Sequence, residues 1–463
     1  MISQITLDPA DDPRAVRRRE RGAFVLGDIA SNLTWSTVGT YLLFFYTDVA
    51  LISAATAGTV ILVARVLDGI FDPLVGIIMD RTDTRWGRAR PYLLFGAPAV
   101  SVLLVLTFLT PVQGTGAIVY AAVTFILVGF AYSLVNVPYG ALLAMTTRDT
   151  GTRMRIAGLR SFGVGLGLVL INGLTQPLVT AIGGSPTSRT GWAWTIAIYA
   201  VLAMVLVWLV FAWVKERVPL TPASREKGNL GSAVKALFRN RPWVIVAIFS
   251  VMAFLRIGCI TGGAIYFALH VLHDPNTIAL ILLTFSVAAI IGSLLTPRVL
   301  LLLGARRGII WGLLASVVLT IPMLFLRDNF IAFLVLFFVV SIVGGFGFVA
   351  AVALIAETVE WHEHQNGHRN EGLLFSGYSL AAKVGAALGS AVLAWGLAIV
   401  GYNPENVTPS ASTGIVVLFL VVPAVVALLQ VVVIGQYDLE KRMPEIKAAL
   451  VERRGTAGAA GEA

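Results

Sequence analysis

Three ionisable residues stand inside an otherwise apolar run of the sequence. Arg65, Asp68 and Asp72 are spaced i, i+3 and i+7, so on a helix they lie along one stripe. Two carboxylates four residues apart repel each other unless they share a proton or a cation. The pair can therefore hold one proton or one small cation such as Na⁺. The alternative is a structural pair neutralised by Arg65, although Arg65 can offset only one of the two charges.

Five more polar side chains interrupt apolar runs elsewhere. Asp28, Arg160 and Lys383 carry charge, whereas Tyr132 and Asn136 are neutral and four residues apart. An ionised group at the centre of a bilayer costs at least about 2.5–3.5 kcal/mol, so charges in spanning segments are functional candidates by default. Each of the five can instead be a core polar group that is held by a hydrogen bond.

Other reactive residue types carry weaker signals. Arg256 has no acidic neighbour in the sequence, so it either pairs with an acid of the first half or faces a water-filled cavity. His362, His364 and His368 match no defined metal site, and a polar loop is the simpler interpretation. Cys259 is the single cysteine and is expected to be a packing residue. No motif of an enzyme is present, so we expect neither catalysis nor a cofactor.

The composition identifies the elements that must position these residues. Hydrophobic residues make up 57% of the 463 positions and charged residues 13%, against about 25% charged residues in soluble domains. The run 416–433 has no ionised group, and a spanning helix needs roughly 20 such residues. The net charge of +9 is spread over short links between such runs, which argues against nucleic-acid binding.

The apolar runs predict twelve transmembrane helices in two six-helix bundles, an all-α membrane protein. The predicted spans are 22–48, 53–80, 91–111, 115–146, 154–183, 192–214, 243–272, 277–300, 306–326, 330–357, 371–400 and 412–437. The predicted domains are a cytoplasmic N-terminal segment (1–21), an N-terminal bundle (22–214), a cytoplasmic middle loop (215–242), a C-terminal bundle (243–437) and a cytoplasmic tail (438–463).

The positions of Lys and Arg predict the orientation. With the N-terminus in the cytoplasm, only Arg189 and Arg327 fall in outer links. Four of the 34 basic residues lie well inside spans, which leaves 28 in cytoplasmic links or at the cytoplasmic ends of spans. Cytoplasmic links carry an excess of Lys and Arg, so both termini are expected inside.

Two links suggest an internal repeat. The links after the second and eighth spans, 80–88 and 297–307, are both short and basic and contain glycine. Matching links are expected of two parallel six-helix repeats. The alternative is that every cytoplasmic link is basic.

The sequence around these charges resembles a known family. The run ARVLDGIFDPLVG at 64–76, followed by DRTDTRWGRARPY at 80–92, resembles the signature of the glycoside–pentoside–hexuronide:cation symporters. This family is the melibiose-permease branch of the major facilitator superfamily. Asn136-Val137-Pro138-Tyr139 with Arg160, and the region from Glu357 to Lys383, are also similar to it. The similarity extends over nearly the whole chain.

The resemblance implies symport of a sugar and a cation by alternating access, on the major facilitator fold. Asp28 and Arg160 match sugar-binding positions, and Tyr132 lies where an aromatic group lines that pocket. Asp68 and Asp72 match cation-site carboxylates. Lys383 matches a buried lysine near them. The link after the second span is expected to act as a gating motif through Asp80, Arg81, Arg85, Gly87 and Arg88.

Three positions depart from melibiose permease. Asn136 replaces a third carboxylate, Phe71 replaces a polar residue, and Gly140 replaces a tryptophan. A Na⁺ site made of the two carboxylates, Ser133 and Asn136 is still possible. The loss of one negative charge favours H⁺ over Na⁺, and the absent tryptophan argues against a galactoside of the melibiose type.

These observations predict a monomeric transporter of a bacterial inner membrane, whose partners are a sugar or glycoside, a coupling cation and the lipid bilayer. One alternative is a transporter of another solute on the same scaffold, such as a lysolipid or a drug. Another is a membrane sensor that binds a sugar without transporting it.

Overall fold

The structure is a computed structural model that describes residues 16–218, 237–326, 329–366, 371–446 and 448–450. Regular secondary structure in these residues is helical, and twelve long helical stretches follow one another. They are α1 (18–49), α2 (Ala54–Asp80), α3 (Arg90–Thr107), α4 (Thr115–Thr146), α5 (Thr150–Gly183), α6 (Arg189–Trp213), α7 (Arg241–His270), α8 (Thr277–Leu303), α9 (Ala305–Met323), α10 (Phe330–Asn366), α11 (Glu371–Ile399) and α12 (Pro409–Ile434).

Ten of the described helices, α3 to α12, are long and apolar enough to cross a membrane. The remaining two stretches, α1 and α2, occupy the places of the first and second predicted spans. Apolar side chains in the middle of described helices are exposed, such as Val102 at 59% on α3 and Val318 at 62% on α9, as is typical of a surface that contacts a membrane.

The helix α1 is not uniform. Two five-residue π-helical turns interrupt it, at Asn32–Ser36 and Phe45–Val49. Such turns inside an α-helix re-aim the side chains around them and are frequent at functional sites. The first turn contains Trp35 and the second contains Asp48.

The histidine-rich segment differs from the expected loop. The helix α10 continues to Asn366, beyond the predicted end of the tenth span at 357. Its continuation has a packing reason, because His362 is 2% exposed and lies one turn after the buried Thr358. His364 is also helical, whereas His368 lies outside the described residues.

The chain forms two compact units. The first comprises Met1–Arg225, Thr261–Ser286 and Ser390–Ile415, and the second comprises Glu226–Ile260, Val287–Gly389 and Val416–Ala463. The first unit therefore contains α1 to α6 together with one end of each of α7, α8, α11 and α12. The division of the sequence into bundles at 22–214 and 243–437 stays a prediction.

A carboxylate caps the start of α3 in the first unit. Glu216 accepts hydrogen bonds from the backbone N–H groups of Arg88, Ala89 and Arg90, at 2.8, 2.9 and 3.1 Å. An anion is stabilising there because the first N–H groups of a helix are unpaired and carry partial positive charge. Gly87 has φ of +104°, and a Cβ on it would lie 2.5 Å from the Glu216 carboxylate.

The second unit repeats this arrangement at the start of α9. Glu440 accepts from the backbone N–H groups of Ala305 and Arg306, at 2.8 and 2.9 Å. Gly304 has φ of +80°, and its Cβ would lie 2.6 Å from Glu440 Oε1. The guanidinium of Arg306 donates to the Gly435 carbonyl, as Arg90 donates to the carbonyl of Phe211. Each of the two links expected to form a repeat thus contains a glycine of positive φ and leads into a helix whose start is capped by a glutamate from a later segment.

Candidate functional site

A bidentate ion pair joins α1 to α5. Arg160 Nε and Nη2 donate to Asp28 Oδ2 and Oδ1, at 2.9 and 3.1 Å. The Asp28 side chain is 6% exposed and that of Arg160 is 26% exposed. Gly163 permits the close approach of the two helices, because a Cβ there would lie 2.7 Å from the Val25 carbonyl oxygen. The pair is thus fixed in position, and the partly exposed Arg160 keeps donors available to a ligand.

An aromatic ring supports Arg160. Its guanidinium carbon lies 4.7 Å from the ring centroid of Tyr139, and the Tyr139 hydroxyl donates to the Phe24 carbonyl at 2.6 Å. Tyr139 was predicted only as part of the family motif at 136–139. The sequence does contain a signal for its place beside the site, because Tyr139 is seven residues after Tyr132 and therefore lies on the same side of α4.

A second polar cluster joins α2 to α4. The Ser133 hydroxyl lies 2.7 Å from Asp72 Oδ1 and 3.2 Å from Asp68 Oδ1. Asp68 is 1% exposed. A serine hydroxyl has one hydrogen, so it can donate to only one of these carboxylates at a time. If it donates to Asp72, the contact with Asp68 is a hydrogen bond only when Asp68 is protonated and donates to Ser133.

The cationic side chain of Arg65 packs against aromatic rings. Arg65 is 7% exposed, and its guanidinium carbon lies 4.2 Å from the ring centroid of Trp35. A cation over the face of tryptophan is stabilised by the negative face of the ring. Arg65 also interacts electrostatically with Asp68. The guanidinium is therefore held beside the carboxylate pair by packing as well as by charge.

Trp35 connects the two polar clusters. It was not predicted as a site residue from the sequence. Its ring stacks on that of Tyr132, with centroids 4.5 Å apart and planes at 8°. Tyr132 lies within electrostatic range of Asp28 as well as of Asp68 and Asp72. Trp35 is seven residues after Asp28 on α1, but the π-helical turn at Asn32–Ser36 changes the helical period before Trp35, so the sequence contained no signal for this placement.

Three further residues singled out in the sequence are Asn136, Lys383 and Arg256. Asn136 is half-buried on α4, one turn after Tyr132. Lys383 is half-buried on α11 in the second unit, so its approach to the carboxylates stays a prediction. Arg256 is buried in the second unit, where its guanidinium donates to the Gly344 carbonyl.

The expected gating motif is partly a structural element. Gly87 and Arg88 take part through their backbone in the glutamate cap of α3. Arg85 packs over Trp86, with its guanidinium carbon 4.2 Å from the ring centroid. Asp80 and Arg81 are exposed at the end of α2, so their role in gating stays a prediction.

Residues 23–441 match the family described as MFS/sugar transport protein. The chain belongs to this family. It is 35% identical over 459 residues to the isoprimeverose transporter of Lactiplantibacillus pentosus, a match that covers 96% of this chain and 95% of the relative. It is 34% identical to the putative glycoside/cation symporter YagG of Escherichia coli (strain K12), over 96% of each chain. These matches confirm the resemblance to the glycoside–pentoside–hexuronide:cation symporters.

Solved structures of other transporters share the fold of this chain. A bacterial homologue of the lysosomal transporter Spinster superposes with a TM-score of 0.70 at 12% identity, over 92% of this chain and 98% of that one. The D-xylose–proton symporter superposes with a TM-score of 0.63 at 14% identity, over 89% and 96%. The protein is therefore an all-α, multi-pass membrane transporter with the major facilitator fold.

Proposed function

We propose that this protein is a symporter that couples the movement of a sugar or glycoside to that of a cation, by alternating access, and that the cation is H⁺ rather than Na⁺. One observation carries the proposal. A carboxylate pair that shares one serine hydroxyl, Asp68 and Asp72 with Ser133, is linked through the Trp35–Tyr132 stack to the bidentate Asp28–Arg160 pair. The two clusters offer separate binding chemistry on different helix pairs, α1 with α5 and α2 with α4, and the Trp35–Tyr132 stack joins α1 to α4 between them.

The Asp28–Arg160 cluster suits a polyhydroxylated solute. A carboxylate accepts and a guanidinium donates charge-assisted, directional hydrogen bonds, which are the contacts that sugar hydroxyls require. Tyr139 and Tyr132 add aromatic faces beside these charges. Relatives named as an isoprimeverose transporter and a glycoside/cation symporter support the same solute class.

The Asp68–Asp72 cluster suits a proton. A single proton between two carboxylates relieves their repulsion and completes the hydrogen bonds around Ser133. A Na⁺ ion needs several oxygen ligands, and Asn136 offers a neutral amide where melibiose permease has a carboxylate. Lys383 is proposed as a further coupling residue, because it matches a buried lysine of the resembled family.

The proposed setting is a bacterial inner membrane, with both termini in the cytoplasm and a monomer as the working unit.

Gradient-driven uptake in proteoliposomes tests the function. Labelled mono- and disaccharides are offered under a proton gradient and, separately, under a sodium gradient. We expect at least one sugar to accumulate under the proton gradient and to equilibrate without it. Absence of gradient-driven uptake for every sugar would contradict symport, and accumulation under sodium alone would contradict the choice of ion.

A further inference from the structure

A second titratable cluster lies inside the first unit, at the C-terminal end of α1. It consists of Thr47, Asp48, Tyr266, His270 and Tyr402, and we call it the outer-end cluster because the predicted topology places these residues on the outer side. Asp48 ends α1, His270 ends α7, and Tyr402 lies in the link between α11 and α12. The cluster therefore joins the first half of the sequence to two elements of the second half.

Hydrogen-bond directions in this cluster converge on Asp48. Tyr402 donates its hydroxyl hydrogen to Asp48 Oδ1 at 2.6 Å, and Thr47 donates to Asp48 Oδ2 at 2.6 Å. Burial and the neighbouring Asp48 carboxylate raise the pKa of Tyr402, so its hydroxyl stays protonated. Asp48 Oδ1 accepts from Tyr402, and Oδ2 accepts whenever the single hydroxyl hydrogen of Thr47 points to it rather than to the Leu43 carbonyl, 3.1 Å away.

The hydrogen bond from Tyr402 to Asp48 determines whether His270 donates to Tyr402 or accepts from it. His270 Nε2 lies 2.8 Å from the Tyr402 hydroxyl oxygen. Because Tyr402 uses its only hydrogen on Asp48, Nε2 must carry a hydrogen and donate it to Tyr402. His270 Nε2 is also 3.6 Å from Asp48 Oδ1. A protonated imidazole therefore forms an ion pair with Asp48, whereas a neutral one keeps only the hydrogen bond to Tyr402.

The charged groups around His270 come from several elements. Asp48 approaches from α1, Tyr402 from the link before α12, and Tyr266 from the preceding turn of α7, where its ring packs at 5.3 Å and 89° against Tyr402. Arg189, at the start of α6, donates to the Val49 carbonyl at 3.2 Å and so lies near the same end of α1. The Asp48 side chain is 2% exposed and that of His270 is 17% exposed, so His270 is the member that solvent protons can reach.

Close packing also joins α2 to α11 within the first unit. A Cβ on Gly58 of α2 would lie 2.4 Å from Ala394 Cβ of α11. Trp395 Nε1 donates to the Thr59 hydroxyl at 3.3 Å. An outward opening in alternating access has to separate α2 from α11 here, and with them the elements that hold Asp48 and Tyr402.

We propose that His270 and Asp48, bridged by Tyr402, form a second proton-binding site, separate from Asp68 and Asp72, whose occupation latches the outer ends of α1, α7 and the α11–α12 link together. Histidine ordinarily changes charge between pH 5 and 8. When the His270 imidazole carries a proton on both nitrogens, its ion pair with Asp48 holds the latch closed. When it gives up one of these protons, the ion pair is lost and the outer end opens more often. The part that the latch plays in transport rests on the proposed function, whereas the proton-dependent contact does not.

Pulsed electron paramagnetic resonance on the full chain in lipid nanodiscs tests this without sugar. Spin labels are placed on Ala55→Cys and Asn406→Cys, both exposed positions, in a Cys259→Ala background. We expect the ratio of long to short label distances to increase about fivefold from pH 5.5 to pH 8.5, the scale of one partly screened ion pair. Both pH values lie above the range in which a carboxylate ordinarily titrates.

Matched variants separate the proton site from general effects of pH. His270→Gln should give nearly the same distance ratio at both pH values, whereas the exposed neighbour variant His273→Gln should behave as the unmodified chain. Tyr402→Phe keeps the ring packing but removes the bridging hydroxyl, and should reduce the closed fraction at pH 5.5. If His270→Gln does not fold, Asp48→Asn should likewise abolish the pH response.

Two results would overturn the proposal: no pH-dependent change in distance in the unmodified chain, or an unchanged response in His270→Gln or Asp48→Asn. Uptake measured in parallel distinguishes this failure from a failure of the proposed function. A pH-dependent distance in a protein that transports no sugar leaves the latch standing and contradicts symport. Sugar symport with no pH-dependent distance would contradict the latch and leave the proposed symport standing.

Discussion

At the scale of single residues, Asp72 gives the sharpest test of coupling. It is the member of the carboxylate pair nearer to the Ser133 hydroxyl, at 2.7 Å. One charge that crosses a potential of 100 mV supplies about 2.3 kcal/mol, which sustains an accumulation of roughly 50-fold. In Asp72→Asn the amide resembles a permanently protonated acid, so the carrier can bind and exchange sugar but cannot release a proton.

We therefore expect Asp72→Asn to lose concentrative uptake while sugar exchange between the two sides continues. Accumulation and exchange are measured in the same proteoliposomes. Asp83→Asn is the matched control, because Asp83 is an exposed carboxylate on the link after α2, and it should accumulate sugar normally. Full accumulation by Asp72→Asn would show that Asp72 is not the coupling group.

At the scale of elements, the glutamate caps of α3 and α9 depend on two glycines. Gly87 and Gly304 both have positive φ and stand against a carboxylate. A side chain in the left-handed region costs roughly 1–2 kcal/mol, and here it also displaces the capping glutamate. Gly87→Ala and Gly304→Ala should each lower the melting temperature of the purified protein by at least about 2–4 °C.

Gly140→Ala provides the comparison for these variants. No atom lies within 4 Å of a Cβ built at Gly140, and alanine favours a helix over glycine. Its melting temperature should be unchanged or slightly higher. Equal melting temperatures for Gly87→Ala, Gly304→Ala and the unmodified protein would indicate that the glycines are not required by the caps.

The elements were largely predictable from the sequence, because apolar runs and polar links alternate sharply. The predicted span 115–146 coincides with α4, whereas α10 extends past its predicted end because a helix can continue where His362 packs. Contacts within the site were harder to foresee. Asp28 and Arg160 are 132 residues apart in the sequence, and only the family resemblance placed them in one pocket. Trp35 and Asp48 gave no signal in the apolar pattern, since π-helical turns re-aim α1 at both residues.

At the scale of the whole molecule, the distribution of positive charge predicts how the chain sits in its membrane. Of 34 Lys and Arg residues, 28 fall in links or span ends assigned to the cytoplasm and two in outer links, a bias that orients insertion. We therefore expect the link between α11 and α12 outside and the link after α2 inside. The outer-end cluster and the glutamate cap of α3 are consequently expected on opposite sides of the membrane.

Labelling of single cysteines in intact cells tests this orientation. Asn406→Cys should react with a membrane-impermeant maleimide, whereas Asp83→Cys should react only after permeabilisation, since both positions are exposed. The native Cys259 is 0% exposed, so the unmodified chain is the unlabelled control. The reverse pattern would place the termini outside and would put His270 and Asp48 in contact with cytoplasmic rather than external pH. The orientation therefore decides which compartment's proton concentration would act on the latch.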